Sequence, residues 1–402
     1  MGLRADTSVV PVLMFHSVGL EKYPWVWSHL SEPVSLFEQK IALISRSGFK
    51  TVFWRDLYAH MAVKKKLPPN SIMLTFDDGY LDNWVYVYPI LKKYGMTGTI
   101  FMTTDFIDSS TAPRRNLEDV WAGRSGGRDL KAAGFLNWSE MRAMEAAGVM
   151  DIQSHALTHT WYPSGPDIVD FHRPRTPPPY PWLFWNARPE RKPFYLTEDQ
   201  QTFIPWGYPV LKHEKSLVVQ RFVPDKDALA RLPDFVRSEG GRDFFARDDW
   251  RQHLMARARA EFGAPQLPGV YENDEERLFR IRHELAESKR VLESGLNKSV
   301  DFICWPGGGN DPEAQAIARD LGYKAWTLGS REEGSECNKP GADPSTLRRI
   351  GTANAITVKG RHVGHGDAAY QLMRINAHRG SQWARLQLRG RQLLAMVEGR
   401  KS

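Results

Sequence analysis

The stretch SIMLTFDDGYLDNWVYVYPILKKYGMTGTIFM, residues 71–102, reads as one strand–helix–strand unit. Ile72–Phe76 is a short continuous apolar run, the pattern of a strand covered on both faces. Asp82–Tyr94 has helical spacing and stops at Gly95, which suits a helix C-cap. Thr97–Met102 reads as a second strand. Two strands joined by a helix pair in parallel, because a parallel partner needs a crossover. Between the first strand and the helix stand Asp77, Asp78 and Gly79. Parallel α/β sheets gather their chemistry at the carboxyl ends of strands. Two adjacent carboxylates there repel each other, so their placement asks for a reason.

The same rhythm runs outward in both directions. Upstream, Val9–Phe15 is a buried-strand candidate. Ser35-Leu36-Phe37-Glu38 has the Ser-x-x-Glu form of a capping box, and Phe37, Ile41 and Ile44 follow on one helical face. Gly48 stands where a C-cap would, and Lys50–Phe53 reads as a short strand. Downstream, Trp138–Ala147 is a helix ended by Gly148, and Val149–Ser154 is a strand. Past Trp161 the composition shifts to proline, arginine and large aromatics, densest in HRPRTPPPYPWLFWNARPERKPF, with a helix over Asp248–Phe262. The α/β pattern resumes with a helix from Asp274 to about Leu296, a strand Val300–Cys304, the sequence WPGGGN, a helix Pro312–Leu321 closed by Gly322, and a strand Tyr323–Leu328. The organisation expected is therefore a discontinuous α/β domain over 8–160 and 272–352, an insertion over 161–271, and a basic extension over 353–402 whose Trp383–Val397 section forms an amphipathic helix. A closed barrel is one solution for such a sheet.

Composition bounds the class. The chain has 402 residues, 42% hydrophobic and 25% charged, which suits a soluble globular protein with its own core. Its two cysteines, Cys304 and Cys337, imply no disulfide framework. No stretch is long enough to span a bilayer, and Val9–Phe15 is too short for a signal-peptide core. The expected location is thus cytoplasmic, with peripheral contact at the inner membrane face. The net charge of +7 fits an anionic partner such as a membrane surface, and no motif points to nucleic acid.

His155 and His159 follow the strand Val149–Ser154 at a spacing that lets two imidazoles face one ion. With one aspartate of the doublet they form a three-ligand set with room for water, the arrangement of a hydrolytic metal centre. One carboxylate would bind the cation and the other could act as a general base. The cation also offsets the repulsion between them.

Four stretches resemble the polysaccharide deacetylases, the NodB-homology group of carbohydrate esterases: PVLMFHSV at 11–18, LTFDDGYLDNW with PILKKYGMTGTIFM, IQSHALTH at 152–159, and FICWPGGG at 302–309. The resemblance covers roughly 8–160 and 272–352 and implies a distorted, incomplete (β/α) barrel. It implies Asp77 as catalytic base, and Asp78, His155 and His159 as ligands of a divalent metal, usually zinc. The implied reaction removes an N-acetyl, sometimes O-acetyl, group from a sugar. A metal-bound water attacks while Asp77 takes its proton, and the backbone N–H of Gly307 stabilises the oxyanion. Trp305, Pro306 and Gly307 would contact the substrate.

This sequence departs from that pattern in three places. Glycine stands at 307 where an aromatic is common. Cys304 stands where many members carry an arginine that pairs with the base, which leaves the partner of Asp77 open. No clear late Leu-x-x-His motif supplies the general acid, so His16, His362 and His365 are the candidates. In the insertion, Trp161, Tyr180, Trp182, Trp185 and Trp206 either stack on sugar rings or form a small core. The alternatives are a catalytically impaired saccharide- or membrane-binding protein on the same scaffold, and a hydrolase of a non-sugar amide or a phosphodiester.

Overall fold

The structure is a computed structural model that describes residues 5–328, 337–352, 355–358 and 361–398. Its centre is a curled, all-parallel sheet. In chain order we number eight strands: β1 (Val12–Phe15), β2 (Ser71–Asp78), β3 (Gly98–Met102), β4 (Met150–Ser154), β5 (Phe302–Ile303), β6 (Ala325–Thr327), β7 (Thr346–Leu347) and β8 (Ile350–Gly351). They lie side by side in the order β7-β6-β5-β4-β3-β2-β1-β8, and the short strand Lys50–Thr51 joins the start of β2. The parallel sheet is the one that the rhythm of the sequence predicts, and its curl is that of the incomplete (β/α) barrel that the resemblance implies. Every residue of β2 and β3 is buried, as expected of parallel strands covered on both faces.

Strand alternation sorts the core into two clusters. Leu13, Phe15, Leu74, Phe76, Ile100 and Ile152 face the crossover helices, among them Val34–Arg46, Tyr88–Lys93 and Trp138–Ala146. Val12, Met73, Phe101, Phe302 and Cys304 face the other way, where Trp54, Leu57 and Met61 of the helix Trp54–Val63 pack on them. Because side chains alternate along β2, Asp77 shares a face with Met73 and Asp78 with Leu74 and Phe76.

Several local expectations change. The first helix is Val34–Arg46 with Pro33 at its N-cap and no side-chain cap, so Ser35 lies inside the first turn and no capping box forms. Glu38 instead pairs with Lys93 at 2.7 Å. The first strand begins at Val12 rather than Val9, and Lys50–Phe53 shortens to Lys50–Thr51 because Phe53 caps the helix Trp54–Val63. The helix after the aspartates starts as a π-turn, Asn83–Val87, before Tyr88–Lys93.

The insertion is ordered. Trp161–Phe171 pairs antiparallel with Pro209–Lys215. Phe171, Leu211, Phe222, Leu232 and Leu254 form a core of its own, which includes residues of the helices Lys226–Ser238 and Trp250–Phe262. After β8 come the hairpin Ala355–Val358 with Arg361–His365, the helix Ala368–His378 packed on Val34–Arg46, and the helix Gln382–Glu398. Among the described residues no helix is long and apolar enough to cross a membrane.

Candidate active site

The carboxyl ends of β1, β2, β4 and β5 converge on a cavity of about 580 Å³. Met102 of β3 sits opposite Asp78 in the ladder, and the following Gly79 has φ +79°. A Cβ at Gly79 would lie 2.1 Å from Met102 Sδ, so only glycine fits after the doublet. Six described non-glycine residues have left-handed backbone, and three of them, Asp78, Ala156 and His159, belong to this site. Such conformations cost free energy and persist where the surroundings impose them.

The two aspartates face different partners. Asp78 Oδ1 lies 3.2 Å from His155 Nε2 and 3.2 Å from His159 Nε2. One donor atom from each of the three residues falls within 4.8 Å of the others. Asp78 Oδ1 is buried with no hydrogen-bond partner among the described residues, which a bound cation would supply. His155 Nδ1 bonds the carbonyl of Cys304 at 2.7 Å, which turns Nε2 toward Asp78. An oxygen and two imidazole nitrogens with an open side fit a divalent metal such as zinc.

Asp77 turns to Arg349. The Nη1 of Arg349 donates to Asp77 Oδ1 at 2.6 Å, and its Nη2 lies 3.1 Å from Cys304 Sγ. The thiol of Cys304 is 3.6 Å from Asp77 Oδ2. Arg349 comes from the link between β7 and β8, beside β1 in the sheet. Sequence reasoning left the partner of Asp77 open. The guanidinium arrives from another strand end, and Cys304 leaves room for it. Burial alone would raise the Asp77 pKa; Arg349, then His16 and His155, outweigh it and hold the carboxyl below its usual value.

His16 follows β1, with Nε2 3.8 Å from Asp77 Oδ2. Asn83 Nδ2 donates to the His16 carbonyl at 3.1 Å. Burial lowers the His16 pKa, and the opposing pull of Asp77 and Asp78 does not cancel it. His362 and His365 are not brought to this cavity. They sit exposed on the hairpin strand Arg361–His365, their rings 5.3 Å apart. Lateness in the chain was their only credential, and among the described residues that hairpin forms a two-stranded sheet apart from the main one.

Trp305 and Gly307 line the cavity, whereas Pro306 is buried in the turn between them. The aromatics of the insertion divide. Trp161 and Trp185 line the cavity beside Trp27 and Tyr195. Trp182 packs behind Trp161 at 5.0 Å with Tyr180 against it, and Trp206 stacks on His172 at 4.6 Å. The buried indole N–H groups of Trp185 and Trp305 have no hydrogen-bond partner among the described residues.

The family profile for polysaccharide deacetylase matches residues 64–175, the stretch that holds both aspartates and both histidines. Over that stretch the chain is similar to the polysaccharide deacetylases. Among curated relatives, a candidate polysaccharide deacetylase of Bacillus subtilis is 28% identical over 150 residues, 37% of this chain and 43% of that protein. The poly-β-1,6-N-acetyl-D-glucosamine N-deacetylase of Escherichia coli is 22% identical over 132 residues, 33% of this chain and 18% of that protein. The matches thus span less than half of either relative. Among solved structures, the BpsB deacetylase domain of Bordetella bronchiseptica gives a TM-score of 0.49 at 16% identity, over 86% of this chain and 97% of that one. A de-N-acetylase of Aggregatibacter actinomycetemcomitans gives 0.48 at 15% identity, over 85% and 94%.

Proposed function

We propose that this deacetylase is a metal-dependent hydrolase that removes N-acetyl groups from a sugar or polysaccharide. The observation that carries this is the separation of the doublet, Asp78 toward two imidazoles and Asp77 toward Arg349, at the floor of one cavity. Asp78, His155 and His159 would hold the cation, most simply zinc, which when bound polarises the amide carbonyl and makes water a better nucleophile. Asp77 is held ionised by Arg349 and accepts the proton of the attacking water. His16, 3.8 Å from the other oxygen of Asp77, is kept neutral at rest by its burial, takes up the proton that Asp77 received from the water, and delivers it to the leaving amine. The backbone N–H of Gly307 is the donor for the developing oxyanion. Trp27 and Trp161 supply faces for sugar rings.

The reading as a binding-only scaffold was motivated by a missing general acid and a base without an arginine, and Arg349 removes the second motive. We also read the helix Gln382–Glu398 as a contact for an anionic membrane surface. Its exposed Trp383, Leu386, Leu393, Leu394 and Val397 with Arg385 and Arg389 support this.

The test of the reaction is acetate release from N-acetylglucosamine oligomers. Release is expected from the metal-loaded protein, to stop on chelation, and to fall by about 10²–10⁴-fold in Asp77→Asn. Full activity in that variant would remove Asp77 from the role of base.

A further inference from the structure

Two of the three consecutive glycines after Pro306 have a packing reason. A Cβ on Gly309 would lie 2.6 Å from Lys215 Cδ and 2.8 Å from Lys215 Cβ, and one on Gly307 would lie 3.1 Å from Lys215 Cε. The loop is bare because the stem of Lys215 lies along it. Lys215 is the last residue of the insertion strand Pro209–Lys215, and its backbone is tied down. Its carbonyl accepts from Val218 and Val219 at 3.1 Å each, and the next residue, Ser216, donates its N–H to Thr160 at 3.0 Å. This explains why an aromatic wall is absent at Gly307: an aliphatic stem from the insertion occupies the place, and Lys215 lines the same cavity.

Charge accounting gives the Lys215 ammonium a task. Among the described residues, the aspartate, glutamate, arginine and lysine residues that line the cavity are four: Asp77, Asp78, Arg349 and Lys215. Asp77 and Arg349 answer each other at 2.6 Å, and Asp78 faces the two imidazoles and the cation site. Lys215 has Glu214 at 3.8 Å, beyond hydrogen-bond reach, and Glu214 is half exposed to solvent. Across the hairpin, Lys215 is paired with Trp161, whose ring lies 5.5 Å from His159 and 6.0 Å from Trp27. A sugar ring resting on Trp161 therefore places its substituents beside both the ammonium and the reaction centre.

We propose that Lys215 is a specificity-determining residue that binds an anionic substituent, a carboxylate or a phosphate, on the acetylated sugar. This deepens the deacetylase reading and rests on it. A charge-assisted hydrogen bond in a partly enclosed site favours the anionic over the neutral sugar by about ten- to a hundredfold.

The experiment is equilibrium binding to the zinc-loaded full chain, read by quenching of the cavity tryptophans. The probes are N-acetylglucosamine, N-acetylglucosamine 1-phosphate and N-acetylmuramic acid. The wild type is expected to bind at least one anionic sugar about tenfold or more tighter than the neutral one. The preference is expected to vanish in Lys215→Met, which keeps a stem on the glycines, and to persist in Lys215→Arg. Equal binding of all three sugars, binding of none, or a preference that survives in Lys215→Met overturns the proposal; the last result assigns the preference to the metal. The two anionic probes distinguish phosphate from carboxylate. Because no turnover is read, failure of acetate release would count against the reaction and leave the binding result standing.

Discussion

At the scale of single residues, the site depends on an arginine that local sequence reading could not assign. Asp77 and Arg349 have side chains only 4% and 8% exposed, so each is the other's main compensation. Removing one partner of such a pair leaves a buried charge and destabilises by about 3–5 kcal/mol. Arg349→Met is expected to lower kcat by about 10²-fold with KM little changed, and to unfold at lower temperature. Arg349→Lys is expected to recover part of the rate, because a point charge restores the ion pair without the second contact to Cys304. An unchanged kcat in Arg349→Met would detach the arginine from the base. Asp77, Asp78, His155 and His159 were legible because each lies beside a strand end and its neighbours fix its direction. Arg349 was not legible, since 45 residues separate it from Cys304, the position where the arginine was sought, and nothing in its own neighbourhood marks it.

At the scale of elements, the sequence speaks clearly where one period dominates. The apolar runs of β2, β3 and β4 and the glycine-ended helices between them read correctly to within a few residues. The strand Trp161–Phe171 was hidden because Pro163, Gly165 and Pro166 break its pattern. It survives as one half of a two-stranded hairpin with register shifts, where a missing ladder donor can be tolerated. The helix Gln382–Glu398 was expected as an amphipathic helix, but it turns part of its apolar surface outward. Ala384 and Ala395 are buried, whereas Trp383, Leu386, Leu393, Leu394 and Val397 are each more than half exposed. If that face meets an anionic bilayer, the protein co-sediments with vesicles containing phosphatidylglycerol and not with purely zwitterionic ones. Leu393→Glu with Leu394→Glu would abolish the association without changing acetate release. Binding that is indifferent to these substitutions would exclude the helix as the contact.

At the scale of the whole molecule, the parallel sheet assembles what the chain disperses. His16, the aspartate doublet, the histidine pair, the glycine loop and Arg349 all follow or approach carboxyl ends of neighbouring strands, so sheet order becomes proximity. The insertion then closes one side of the cavity with Trp161, Trp185 and Lys215. Its internal fold was illegible, because a proline-rich stretch obeys no single period. The central claim is that two adjacent carboxylates do two different tasks, and metal content measures this most directly. Purified in parallel with zinc, the wild type and Asp77→Asn are each expected to hold close to one metal ion per chain, while Asp78→Asn loses it. Equal metal content in the two variants, whether both full or both empty, would contradict the account.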